Sequence, residues 1–189
     1  MGSGKQGVAV LNTEFEFSDR DFQRVRQIIN EIAGISLADG KRELVYSRLS
    51  RRLRQRGLQR FEDYCNLLET RDDSAEMSEF VNALTTNLTA FFRESHHFEF
   101  LGKELLPALM RAQGLGNRRI RIWSAGCSTG EEPYSIAMTV RETLPATGWD
   151  VRILATDLDS NVLATAERGV YDESRIKDCL LYTSPSPRD

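Results

Sequence analysis

Apolar residues recur with a helical period in the first half of the chain and with a strand period in part of the second. Phe22, Val25, Ile28, Ile29 and Ile32 follow one another at helical spacing up to Gly34, and Ser18 with Asp21 makes a capping-box pattern in which Asp replaces Glu. That predicts a first helix of about four turns, with order beginning near Phe15. Further helices are expected over residues 40–56, 61–70 and 74–86. Residues 14–90 therefore read as a small all-helical domain, preceded by a frayed segment, 1–13, that has no periodicity. Residues 93–113 read as one more helix, or a pair broken near Pro107, and Gly114, Leu115, Gly116 and Asn117 form a turn that closes a linker over 91–117. Beyond it the pattern changes class. Residues 119–123 alternate as a strand, 131–144 return to helical spacing, 151–155 form a second strand and 160–168 a second helix. This strand-helix-strand-helix order predicts parallel strands, the opening half of a doubly wound sheet over residues 118–178.

The last eleven residues, 179–189, share no pattern with what precedes them. A disordered Ser/Pro tail is the ordinary reading. We favour another: the peptide resembles the translation of a sequencing adapter, so that native sequence is expected to stop near Asp178.

Composition narrows the class. At 189 residues with 40% hydrophobic content the chain can bury a real core, and no apolar run approaches the length of a membrane helix. The start lacks the apolar stretch of a secretory signal, so a cytoplasmic protein without direct membrane insertion is expected. Cys65, Cys127 and Cys179 have no CxxC spacing and read as free thiols. His96 and His97 are adjacent, so on a helix they point about 100° apart, and no further ligand has suitable spacing; no metal is expected. The net charge of −3 hides an asymmetry: residues 41–60 hold eight basic side chains against one acid, Glu43, a local +7 that leaves −10 elsewhere. A basic surface on an otherwise acidic protein points to a defined acidic partner more than to nucleic acid, which would make the whole domain basic. On a helical wheel Val45, Leu49 and Leu53 form one apolar stripe, with Lys41, Arg48, Arg51 and Arg52 in an adjoining sector. A solvated face is the ordinary reading of such a run. Against it stands the near absence of the interleaved acids that solvated helices carry four residues away.

Candidate chemistry lies in three places. Ala125, Gly126, Cys127, Ser128, Thr129 and Gly130 join the first strand to the following helix, where small residues let backbone approach a ligand and free N–H groups face it. The loop departs from GxGxxG by lacking the middle glycine. That disfavours a dinucleotide pyrophosphate and is better tolerated by a ligand without phosphates, such as S-adenosylmethionine; by itself the loop is equally an ordinary connection. Glu131 and Glu132 complement the dipole of the helix they open, and one of them is placed to meet the amino or sulfonium group of a cationic cofactor. Asp157, ending the second strand, is placed to accept ribose hydroxyls or to cap the next helix, a role for which Asp159 and Ser160 are nearer. Finally, residues 85–93, with Asn87, Thr89, Phe91, Phe92 and Arg93, are too polar to prolong a helix and too aromatic for a free linker. Phe91 and Phe92 read as interdomain core, whereas Asn87, Thr89 and Arg93 need hydrogen-bond partners that a ligand can supply.

The run Ala83-Leu84-Thr85-Thr86-Asn87-Leu88-Thr89-Ala90-Phe91-Phe92-Arg93 and the run Ser128-Thr129-Gly130-Glu131-Glu132-Pro133-Tyr134-Ser135 resemble those of CheR-type chemotaxis receptor methyltransferases. The likeness extends over residues 15–178. It implies an all-α N-terminal domain followed by the first half of an α/β Rossmann-like methyltransferase domain that uses S-adenosylmethionine to methylate receptor glutamates. It further implies donor contacts from Asn87, Thr89, Arg93, Glu132 and Asp157; beside these, our own expectation is that the Gly126 turn borders the donor and that Arg93 holds donor and acceptor together. Lys41, Arg48, Arg51 and Arg52 would meet the acidic cytoplasmic region of a methyl-accepting receptor. A nucleic-acid methyltransferase and a non-catalytic receptor-binding module are the alternatives. Later strands and a small β-subdomain of that family are absent here, which makes activity of this chain by itself doubtful.

Overall fold

The computed structural model describes residues 14–113 and 118–176. The expectations for the N-terminal segment, the Gly114 turn, Cys179 and the C-terminal tail lie outside these residues. The chain divides into two compact units, Met1–Leu84 and Thr85–Asp189.

The first unit is helical. Helix α1 (Asp19–Ala33) starts at the expected capping box: the Asp21 amide donates to the Ser18 hydroxyl at 3.2 Å, and the Ser18 amide donates to the Asp21 carboxylate at 2.9 Å. A 3₁₀ turn, Asp39–Lys41, leads into α2 (Arg42–Arg56), followed by α3 (Phe61–Thr70) and α4 (Ser74–Leu84). Gly34 and Gly57 end α1 and α2 in the left-handed conformation that glycine adopts without a Cβ penalty. Val25 and Ile29 of α1, Val45, Leu49 and Leu53 of α2, and Phe61, Tyr64 and Leu68 of α3 are buried together with Phe80 of α4. Phe17 joins this core with its ring centroid 4.3 Å from that of Phe61, and the Arg42 guanidinium sits 5.0 Å over the Phe17 ring.

The missing i±4 acids of α2 are supplied by other segments. Arg42 pairs with Asp19 at 2.5 Å, Arg54 with Glu14 at 3.0 Å and Arg56 with Asp73 at 2.7 Å. Arg52 pairs with Glu76 at 2.6 Å and Glu79 at 3.1 Å. A wheel drawn on one helix cannot show partners that arrive by folding, so most of the apparent charge excess is neutralised within the unit.

The second unit begins at Thr85, upstream of the boundary after residue 90 that composition predicts. The reason is hydrogen bonding: Thr85 and Asn87 both donate to Asp159, and the Phe92 amide donates to the Ser135 hydroxyl at 2.9 Å. Phe91 and Phe92, expected between domains, instead belong to this unit's own core with Phe98, Leu106, Ile120, Ile136 and Val140. The next helix starts at His96, later than predicted, since Phe92 and Glu94 take left-handed backbone angles. Helix α5 (His96–Phe100) widens into a π-helical turn, Leu101–Leu105, before α6 (Leu106–Gln113). Pro107 has no N–H to donate and its ring crowds the carbonyl four residues back, so the break falls just ahead of it.

Strands β1 (Arg119–Ala125) and β2 (Asp150–Thr156) pair in parallel, Arg119 opposite Asp150 through Ala125 opposite Thr156, with α7 (Glu131–Thr143) as crossover and α8 (Ser160–Arg168) following. One face of the pair buries Ile120 and Ser124. The other leaves Trp123 67% and Leu154 59% exposed, opposite each other in register, on a face that a complete doubly wound sheet covers. The architecture is therefore an all-α unit followed by a partial Rossmann-like half.

Candidate functional site

The strand register fixes the site. Because Ala125 and Thr156 end their strands side by side, the chain leaving β1 folds over the end of β2, and the Gly126 and Cys127 amides both donate to the Thr156 carbonyl, at 2.8 and 2.9 Å. Gly126 has φ 83°, and a side chain there would meet no atom within 4 Å, so the glycine turn borders open space. Ser128, also left-handed at φ 49°, donates its amide to Asp157 at 2.7 Å. Asp157 accepts a second amide, that of Asp159, at 2.9 Å. Each of its carboxylate oxygens thus accepts one amide and retains further acceptor capacity.

Asp159, not Asp157, caps α8, accepting the Asn161 amide at 2.9 Å. Sequence reasoning missed its second task. Asp159 is 4% exposed and also accepts Asn87 Nδ2 at 2.6 Å and the Thr85 hydroxyl at 3.0 Å. The Asn87 carbonyl in turn accepts the Ser128 hydroxyl at 3.0 Å. Asn87 is therefore laced to both the glycine turn and the cap of α8, and the only sequence signal was an acid at a cap followed by no charged partner nearby.

The two glutamates that open α7 separate cleanly. Glu131 is 0% exposed, while Glu132 is exposed and accepts the hydroxyl of Ser124, from the end of β1, at 2.6 Å. Glu132 and Asp157 thus stand at the same strand ends as Gly126. Thr89 and Arg93 lie on the segment that Asn87 begins; Arg93 donates to the Leu88 carbonyl at 3.0 Å, closing a loop over residues 88–93. Among the described residues Arg93 makes no hydrogen bond to Glu132 or Asp157. The Cys127 thiol is buried beside this turn and pushed upward first by burial and then by Asp157, so it stays a protonated thiol. No group of three His, Cys, Asp or Glu among the described residues is arranged to hold a metal.

The donor set fits a phosphate-free cation. Two carboxylates, Glu132 and Asp157, border a glycine turn that is open on one side, where a pyrophosphate would meet like charge. Amino and ribose hydroxyl groups are the donors that such acceptors match.

The predicted partner-binding cations lie on the first unit and divide by their contacts. Arg48 donates to the Ala83 carbonyl at 3.3 Å. Arg52 is engaged by Glu76, Glu79 and Gln55. Lys41 and Arg51 are exposed.

Comparison with known proteins agrees with this two-part fold. Residues 87–182 match the family model described as CheR methyltransferase, SAM binding domain, and residues 20–85 match CheR methyltransferase, all-alpha domain. The chain is 51% identical over 166 residues to chemotaxis protein methyltransferase 2 of Pseudomonas aeruginosa, covering 88% of this chain and 57% of that protein. It is 48% identical over 176 residues to the chemotaxis protein methyltransferase of Escherichia coli, covering 93% and 59%. The corresponding protein of Borreliella burgdorferi is 40% identical over 169 residues, covering 88% and 60%. The chain therefore spans less than two thirds of the length of these curated relatives. No helix among the described residues is long and apolar enough to cross a membrane.

Proposed function

As the chain belongs to the CheR methyltransferase family, we propose that it serves S-adenosylmethionine-dependent methylation of glutamate side chains on the cytoplasmic region of methyl-accepting chemoreceptors. The observation that carries this reading is the open glycine turn flanked by Glu132 and Asp157 at the ends of two parallel strands. Asp157 serves the ribose hydroxyls and Glu132 the amino group, with Asn87, Thr89 and Arg93 completing the wall. The bound donor supplies a sulfonium methyl, which passes to a carboxylate oxygen as the carbon–sulfur bond breaks, leaving a thioether and a methyl ester.

The acceptor glutamate has an ordinary pKa of about 4.3, so it is ionised at neutral pH and needs no general base. The protein's work is alignment and exclusion of water, for which fixed in-line geometry supplies effective molarities of roughly 10⁵ M and above. Arg93, as the cation at the mouth of the 88–93 loop, holds the acceptor carboxylate against the donor. In the complete enzyme, Arg93→Ala is expected to lower methyl transfer by about 10²-fold or more while leaving unfolding unchanged. The assay is transfer from radiolabelled S-adenosylmethionine to receptor-bearing membranes, scored as base-labile methyl ester. Label on RNA or DNA instead, or receptor binding without label, would overturn the proposal.

The receptor is met by the first unit. The acidic face of a receptor helix is read by Lys41 and Arg51, the two cations of the predicted sector left exposed, with Arg48 beside them; Arg52 supports the fold under them. Charge reversal at both, Lys41→Glu with Arg51→Glu, should weaken binding to the receptor's cytoplasmic fragment by about tenfold or more at low salt and flatten its salt dependence. Binding that is unchanged and still salt-sensitive would move the interface elsewhere.

A further inference from the structure

Glu131 is a fully buried carboxylate at the start of α7, next to the proposed donor contact Glu132, and donor chemistry does not use it. A buried carboxylate persists ionised only when a cation and hydrogen bonds compensate it. One oxygen accepts the Thr129 hydroxyl at 2.6 Å, and the other is paired with the guanidinium of Arg175. Arg175 comes from the short segment that follows α8, and the same guanidinium reaches the Thr89 carbonyl at 3.5 Å.

Tyr171, from the same segment, approaches the glycine turn from close range. Its hydroxyl donates to the Thr129 carbonyl at 2.7 Å, and its ring packs edge-on against Phe91, at 4.9 Å, and Tyr134, at 5.8 Å. The approach is permitted by Gly130 alone: a Cβ there would lie 2.5 Å from the Tyr171 hydroxyl. Burial, and then the Glu131 charge, push the Tyr171 phenol up to about 12, so it remains a proton donor at all ordinary pH.

Residues 171 and 175 thus tie three pieces together: the 126–130 turn through Thr129, the start of α7 through Glu131, and the 87–93 segment through Thr89 and Phe91. We propose that Tyr171 and Arg175 are positioning residues that hold the glycine turn and the Thr89 segment in the relative placement the methyl donor requires. The inference rests on the reading of this turn as the donor site. It makes the affinity for donor depend on two side chains that touch none of the proposed donor contacts except through Thr89 and the turn itself.

The test uses this chain with S-adenosylhomocysteine as calorimetric probe, amide hydrogen exchange over residues 126–134, and a thermal scan to set a temperature at which every variant is folded. Arg175→Ala should speed exchange of the Ser128 and Thr129 amides about tenfold and raise the dissociation constant about tenfold. Tyr171→Phe, which keeps the ring and removes one hydrogen bond, should act in the same direction by a smaller factor. Arg175→Lys should restore part of both effects. If the unaltered chain binds the probe and Arg175→Ala binds it within twofold, the inference fails and the site reading stands, whether or not exchange quickens. If the unaltered chain does not bind the probe, the site reading fails and takes the inference with it.

Discussion

Replacing Glu76 with Ala should destabilise the first unit by about 3–5 kcal/mol, the cost of breaking a buried ion pair from one side. Glu76 is 2% exposed on α4 and is the acceptor for an entire network. One oxygen takes the Tyr64 hydroxyl at 2.7 Å and Arg52 Nε at 3.1 Å; the other takes Arg52 Nη2 at 2.6 Å, with Arg56 Nε at 3.6 Å. Truncation leaves the fully buried Tyr64 hydroxyl without an acceptor, and ionisation offers no escape, because burial, the largest cause of that phenol's upward shift, remains when Glu76 is gone. It also leaves the Arg52 guanidinium with the neutral Gln55 and one carboxylate, Glu79, which is 44% exposed and so worth at most about 1 kcal/mol. Glu79→Ala should accordingly cost little. Both tryptophans, Trp123 and Trp149, lie in the second unit. Loss of helical circular dichroism in urea ahead of any tryptophan fluorescence change would therefore assign the effect to the first unit. A loss below about 1 kcal/mol would mean that water replaces Glu76 and that the network carries no stability.

The same network explains what periodicity could and could not reveal. The stripe Val45, Leu49 and Leu53 and the capping box at Ser18 are local patterns, and each appears in the fold as its spacing implies. The β1–α7–β2–α8 order was equally legible, because each element carries its own period and its own punctuation. What could not be read from neighbours in sequence were groups satisfied at long range. The acids that neutralise α2 come from α4 and the residue just before it, from the start of α1 and from ahead of α1. Thr85 and Asn87 look like linker until Asp159 receives them. Asp157 and Glu132 were legible as acids at strand and helix ends, a position with chemical meaning in any βαβ unit, whereas the link of Tyr171 and Arg175 to the turn has no local signature at all.

At the glycine turn the expected result is that Gly130→Ala costs the second unit about 2–4 kcal/mol, from left-handed strain combined with overpacking. Gly130 has φ 100° and ψ −4°, a conformation that L side chains rarely adopt. An added Cβ would lie 2.9 Å from Ala166 Cβ and 3.0 Å from its Cα, as well as 2.5 Å from the Tyr171 hydroxyl. The hydroxyl can swing away only by giving up the Thr129 carbonyl, and the Ala166 backbone moves only with α8. Gly126→Ala provides the contrast: φ 83° brings strain of about 1–2 kcal/mol, yet the new methyl meets no protein atom. It enters the open space where the donor is proposed to lie, so probe affinity should fall more than stability does. Tryptophan fluorescence in urea and S-adenosylhomocysteine titration measure the two quantities separately. A Gly130→Ala protein as stable as its parent would show that α8 yields to the methyl. A Gly126→Ala protein that binds the probe unchanged would remove that turn from the donor site, because a methyl group placed against a bound ligand cannot be neutral at van der Waals packing density.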